Sequence, residues 1–143
     1  MENKDLTGMW RGTIVYGNEY RSHKGRELYF EAEIIQQGNE ITGMARDTGG
    51  TGMSPDPAYI SGSYQHPEIN FIKQYSSFHY YSAKDGATKT DASQKGPQIK
   101  YTGIYNEQSN SFSGSWIIKA VVRFLWLFPV TLKTTGTWTM QRQ

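Results

Sequence analysis

A short unit recurs from one end of the chain to the other: Ser or Thr, then Gly, then any residue, then an aromatic. It reads Thr7-Gly8-Met9-Trp10, Ser61-Gly62-Ser63-Tyr64, Thr102-Gly103-Ile104-Tyr105, Ser113-Gly114-Ser115-Trp116 and Thr135-Gly136-Thr137-Trp138. Thr42-Gly43-Met44-Ala45 repeats it with Ala in the aromatic slot. Residues two apart in a strand share a face, so Gly and aromatic look one way and Ser or Thr the other. Glycine inside a strand marks a sharp bend or a close backbone approach, and a ring beside it covers the bare backbone. The repeat therefore predicts a sheet bent at regular intervals, as a barrel requires.

Composition agrees. The 143 residues suit a single domain, 1–143, large enough for a real core. Fifteen Gly, ten Tyr, six Phe and four Trp lean towards an all-β protein. With no Cys, disulfides, thiolate catalysis and thiolate metal sites are excluded. A formal net charge of +2 gives no case for nucleic acid as a partner. No run approaches the ~20 apolar residues of a transmembrane helix. The polar start, Met1-Glu2-Asn3-Lys4-Asp5-Leu6, lacks an apolar signal core, so either a cytoplasmic location or a leader already removed is expected.

In chain order, alternation of apolar and polar residues predicts strands over 7–16, 27–37, 40–47, 58–65 and 68–75. Gly38-Asn39 and His66-Pro67 supply turns between them, and 48–57 reads as a Gly- and Pro-rich loop. The segment 76–97 is expected to be a long, mobile connection, although Phe78-His79-Tyr80-Tyr81 could extend the fifth strand. Further strands are predicted over 98–105, from Ser111 onwards, and over 130–141. Residues 117–128 also fit a short amphipathic helix, but their β-branched content favours strand. Eight strands with mostly short reversals predict an antiparallel up-and-down β-barrel, whose interior side chains fill or a small ligand occupies.

Gly8-Met9-Trp10 opening the first strand, Arg142 just after the last, and the ending Thr-Gly-Thr-Trp-Thr-Met resemble the calycin superfamily of lipocalins, fatty-acid-binding proteins and avidins. The resemblance implies a lipocalin-like barrel in which Trp10 plugs one end and Arg142 packs on it through a cation–π contact. It also implies a role for Trp126, which lies where avidins carry a Trp that covers a neighbour's ligand.

The inward positions are unusually aromatic, and buried Tyr hydroxyls offer directional hydrogen bonds to an apolar ligand. Tyr64, Phe71, Lys73, Tyr75, Tyr101 and Tyr105 are the candidate cavity-lining residues, with Trp126 near the mouth. Lys73, in phase with Phe71 and Tyr75, is the sharpest polar anomaly. Such a Lys binds a carboxylate or has a lowered pKa for base or Schiff-base chemistry, whereas the plain expectation is a rim side chain reaching water. His23, His66 and His79 are scattered, with no metal-ligand spacing. His79 is the best placed for a haem ligand, but an exposed loop position is the plainer expectation. Asp47-Thr48-Gly49 looks like an aspartic-protease triplet without a second Asp site and is set aside. Gly49-Gly50-Thr51-Gly52 precedes no helix and reads as a flexible loop. Arg21, His23, Lys24 and Arg26 form a solvated basic loop.

The sequence thus leads to non-catalytic binding of a small, largely apolar ligand inside the barrel, without a cofactor, metal or nucleic acid. Two alternatives stay open. One is a barrel enzyme, of cyclase, isomerase or decarboxylase type, using interior Tyr and Lys as acid and base. It requires an interior ionisable group with a shifted pKa and a partner in reach. The other is a filled barrel acting in interaction or homo-oligomerisation through the apolar tip Leu125-Trp126-Leu127-Phe128.

Overall fold

The computed structural model describes residues 5–18, 24–75, 78–82, 87–91, 98–124 and 128–143. Its strands are β1 (Gly8–Tyr16), β2 (Glu27–Gln37), β3 (Glu40–Gly50), β4 (Ala58–Gln65), β5 (Glu68–Tyr75), β6 (Phe78–Ser82), β7 (Ala87–Asp91), β8 (Gln98–Asn106), β9 (Ser111–Phe124) and β10 (Phe128–Arg142). Eight of them close an antiparallel barrel in the order β1-β10-β9-β8-β5-β4-β3-β2. β6 and β7, within the segment read as a connection, pair in a two-stranded sheet of their own. Leaving them aside, every barrel strand pairs with its neighbours in chain order, and β1 closes on β10. The expected eight-stranded up-and-down barrel is present. No helix among the described residues is long and apolar enough to cross a membrane.

Alternation explains why each strand turns the face it does. Leu28, Phe30, Ala32 and Ile34 of β2 are buried while Glu27, Tyr29, Glu31, Glu33 and Ile35 between them are exposed. β9 continues as strand through Phe124, which decides against the helical alternative for 117–124. The residues of the apolar tip, 125–127, lie outside the described part.

The repeat does its structural work across strands rather than within one. Gly12 lies opposite Phe30, Gly62 opposite Phe71, Gly114 opposite Trp138, and Gly136 opposite Trp116. The ring that covers a glycine therefore comes from the neighbouring strand, not from the same copy of the motif. Close approach is what excludes a side chain there. A Cβ on Gly114 would collide with the Thr102 carbonyl oxygen and stand 2.6 Å from Gly103 Cα. A Cβ on Gly136 would collide with the Val15 carbonyl oxygen and lie 2.5 Å from the Trp116 ring. The indoles then tie strands together: Trp138 Nε1 donates to the carbonyls of Thr102 and Ser115, both at 3.1 Å, and Trp116 Nε1 donates to that of Thr137 at 3.1 Å.

One end of the barrel is closed by Trp10. It is buried, its Nε1 donates to the Leu6 carbonyl at 2.8 Å, and its ring lies 5.5 Å from Phe112. The Arg142 guanidinium sits 4.8 Å from the centre of the Trp10 ring and donates to the carbonyls of Thr7 and Asp5. Tyr64 and Tyr105 pack edge-on against Phe112, at 5.6 and 5.1 Å. Above this layer Phe71 stacks on Tyr101 at 4.7 Å, and Trp138 meets both rings edge-on. Rings fill this half of the barrel.

Adding one methyl group at Gly114 is thus expected to destabilise the fold by about 1–3 kcal/mol or more, because the atoms in the way are backbone. Ser113→Ala, on the exposed face one residue away, is expected to stay within about 0.5 kcal/mol of the parent. Denaturant unfolding of the two variants checks this, and equal stabilities would contradict the close-approach account.

Candidate functional site at the Lys73 end of the barrel

The opposite end, where β5 finishes and β8 begins, is built differently. β5 points Ile69, Phe71, Lys73 and Tyr75 inward in strict alternation. Lys73 pairs across the sheet with Ile60 of β4 and Ile99 of β8, two residues short of the end of its strand. The expectation that it reaches water from the rim is therefore corrected: Lys73 is 1% exposed, because Tyr75 occupies the outer position.

Its charge is answered from β3. Ile41, Ala45 and Asp47 of that strand are buried in phase, and Asp47 is 3% exposed. The pairing of β2 with β3 shifts register here, with Phe30 opposite Asp47 but Tyr29 opposite Gly49. This irregularity absorbs one extra residue, as a β-bulge does, and β3 runs on to Gly50 where a loop was expected from Thr48. Asp47 Oδ1 lies 4.0 Å from Lys73 Nζ. Asp47 Oδ2 accepts the Ser54 backbone N–H at 2.8 Å, which fastens the loop after β3 to the barrel interior. The Tyr75 hydroxyl donates to the Asp47 carboxylate, 3.3 and 3.4 Å from its two oxygens. Tyr16 holds the same loop by donating its hydroxyl to the Thr51 carbonyl at 2.7 Å.

The Lys73 ammonium stands among rings, 4.7 Å from the centre of Phe30, 5.6 Å from Tyr75 and 5.7 Å from Tyr101. All three distances fall in cation–π range. Yet Nζ is sealed from solvent and makes no hydrogen bond among the described residues. Burial lowers the Lys73 pKa from 10.5 to about 8, an effect that the Asp47 charge opposes in part. Burial also pushes the Tyr75 phenol up, and the negative charge of Asp47 adds to it, so Tyr75 keeps its proton and acts as a donor.

Of the residues singled out in the sequence, the structure brings Phe71, Lys73, Tyr75 and Tyr101 together. Tyr64 and Tyr105 sit at the Trp10 end. There Tyr64 Oη is 2.6 Å from His66 Nδ1, His66 Nε2 is 3.6 Å from Glu107, and the Tyr105 hydroxyl donates to Asn110 at 2.9 Å. Trp126 lies outside the described residues. Asp47 and Phe30 join the site although neither was named for it. The signal for Asp47 was available: it continues the inward series Ile41, Gly43, Ala45. No group of three His, Cys, Asp or Glu side chains that could hold a metal occurs among the described residues.

No family model matches the chain, and no curated protein or solved structure does either.

A buried pair of this kind is costly to break and cheap to replace as a unit. Asp47→Ala, which strands the ammonium, is expected to cost about 3–5 kcal/mol, while Lys73→Met combined with Asp47→Asn is expected to stay near or above parental stability. The pH dependence has a definite sign. Lys73 releases its proton near pH 8 when folded but near 10.5 when unfolded, so between these values the unfolded chain holds the extra proton. Stability of the parent relative to Lys73→Met is therefore expected to rise with pH across that window. Urea titrations over the window check both statements, and a flat difference would mean that Lys73 reaches water.

Proposed function

We propose that this chain is a calycin-like binding protein that holds a small, largely apolar ligand at the Lys73 end of its barrel, without catalysis. The observation that carries this reading is the Lys73 ammonium, sealed in the barrel with its N–H donors unused. Buried donors are ordinarily satisfied, and leaving one unmade costs about 1–3 kcal/mol, more when it is charged. A site that keeps such a group is shaped for something that completes it. Phe30, Phe71 and Tyr101 are buried beside the ammonium, and a ligand seated among these rings would gain about 25 cal/mol for each Å² of its apolar surface taken out of water. The Trp10 plug and its Arg142 partner support the calycin assignment, since this arrangement is the one that the resemblance implies.

A second reading has an observation of its own. An interior Lys with a lowered pKa, a carboxylate at 4.0 Å and a Tyr that donates to that carboxylate are the parts of an acid–base site. On this reading Lys73, neutral in part above pH 8, takes a proton from a bound molecule while Asp47 and Tyr75 hold its orientation. Binding is preferred because Asp47 is already engaged by Ser54 and Tyr75.

Native mass spectrometry of protein purified without denaturation is expected to show the 16.3 kDa chain carrying a small molecule. The released molecule should leave chemically unchanged after incubation, whereas conversion to a product would select the enzyme reading. Bare chain that also takes up no apolar compound would overturn the proposal. The same spectrum reports the oligomeric state.

A further inference from the structure

The charge count at the Lys73 end narrows what the ligand is. We infer that the ligand's polar group is a neutral carbonyl, as in a ketone or an amide, and not a carboxylate; this rests on the binding reading above.

Three features of the site lead there. First, the pair is already neutral. One ammonium and one carboxylate stand 4.0 Å apart, both buried, and the inward groups around the ammonium are the rings of Phe30, Tyr75 and Tyr101. Second, the two partners are unequally satisfied. Asp47 accepts the Ser54 N–H and the Tyr75 hydroxyl, while Lys73 Nζ makes no hydrogen bond among the described residues. What is missing is an acceptor, so a ligand that only donates gains nothing at Lys73. Third, the acceptor must suit its surroundings. A carboxylate would put a second negative charge beside Asp47, itself 3% exposed, where burial makes like charges disfavour one another strongly. A carbonyl oxygen accepts from the ammonium and adds no charge. Its apolar remainder can lie against the rings, where it costs no desolvation of a second ion. The resemblance to lipid-binding barrels would lead to the opposite expectation, an ion pair between an interior cation and a ligand carboxylate, and Asp47 is what removes it.

The test is an NMR titration of the full chain at pH 7 with three compounds that share a phenylpropyl body and end in methyl, carboxamide or carboxylate: butylbenzene, phenylbutanamide and phenylbutanoate. Indole and amide resonances report affinity and place. The amide is expected to bind at least roughly tenfold more tightly than the carboxylate. Lys73→Met is expected to bring the amide down to the affinity of butylbenzene, and Asp47→Asn to turn the preference towards the carboxylate. Should either single variant fail to fold, the parental ranking and the double variant Lys73→Met with Asp47→Asn decide the matter. A carboxylate that binds the parent as tightly as the amide, or an amide advantage that survives Lys73→Met, overturns the carbonyl inference and leaves the binding reading standing. If none of the three compounds shifts a resonance, the binding reading fails, and this inference fails with it.

Discussion

The barrel depends on bare backbone lying beneath aromatic rings across its strand pairs. Gly114 against the backbone of Thr102 and Gly103, Gly103 under Trp138, and Gly136 under Trp116 let β8, β9, β10 and β1 approach more closely than any side chain would permit, so the sheet can coil tightly enough to close. The rings restore the apolar cover that glycine lacks, and their indole N–H groups bind to carbonyls on adjoining strands. Curvature, core packing and strand-to-strand fastening therefore come from the same residues. The consequence for function is spatial. Once these rings and the Trp10 layer are in place, the half of the interior at the Trp10 end is packed with aromatic side chains.

The other half carries a charge that the fold does not need. Eight strands would close as well around an aliphatic residue at position 73, and burying an ammonium with its carboxylate gains little over apolar packing. The β3 irregularity, the Ser54 anchor and the Tyr75 hydroxyl all converge on Asp47, so the carboxylate is firmly held and the ammonium is not. A well-satisfied acceptor beside an unsatisfied donor gives the site a direction, and on the binding proposal the missing group is an oxygen. That asymmetry is what distinguishes the Lys73 end from the ring-packed Trp10 end of this barrel.

Much of the fold was legible because period-two alternation and the Gly-x-aromatic repeat are local signals. Strand positions in β2, β4 and β5 follow directly from them. What sequence could not convey was register. The motif suggests that a ring covers the glycine beside it in the chain, yet the covering ring sits across the sheet, as Gly136 and Trp116 show. The same limit applied to the site. Lys73 stood out as a charge on an apolar face, but whether it met water depended on how far Tyr75 extended beyond it. Asp47 closes the predicted strand 40–47 but reads there as part of a protease-like triplet without a second Asp; the bulge opposite Tyr29 and Phe30, and the strand that runs on to Gly50, are what the sequence did not convey. Tyr64 and Tyr105 share the inward face with Lys73 but belong to the Trp10 end, a distinction of height along the barrel that alternation does not encode.

The central claim is that Lys73 is a buried, hydrogen-bond-deficient ammonium poised for a ligand. Side-chain NMR of lysine-labelled protein tests it most directly, by following each lysine Cε resonance against pH with and without phenylbutanamide. The account requires one lysine, lost in Lys73→Met, to titrate near pH 8 and to shift when the amide is added. If every lysine titrates together near the ordinary value of 10.5 and none responds to the amide, Lys73 is neither buried nor a binding group, and the account is contradicted.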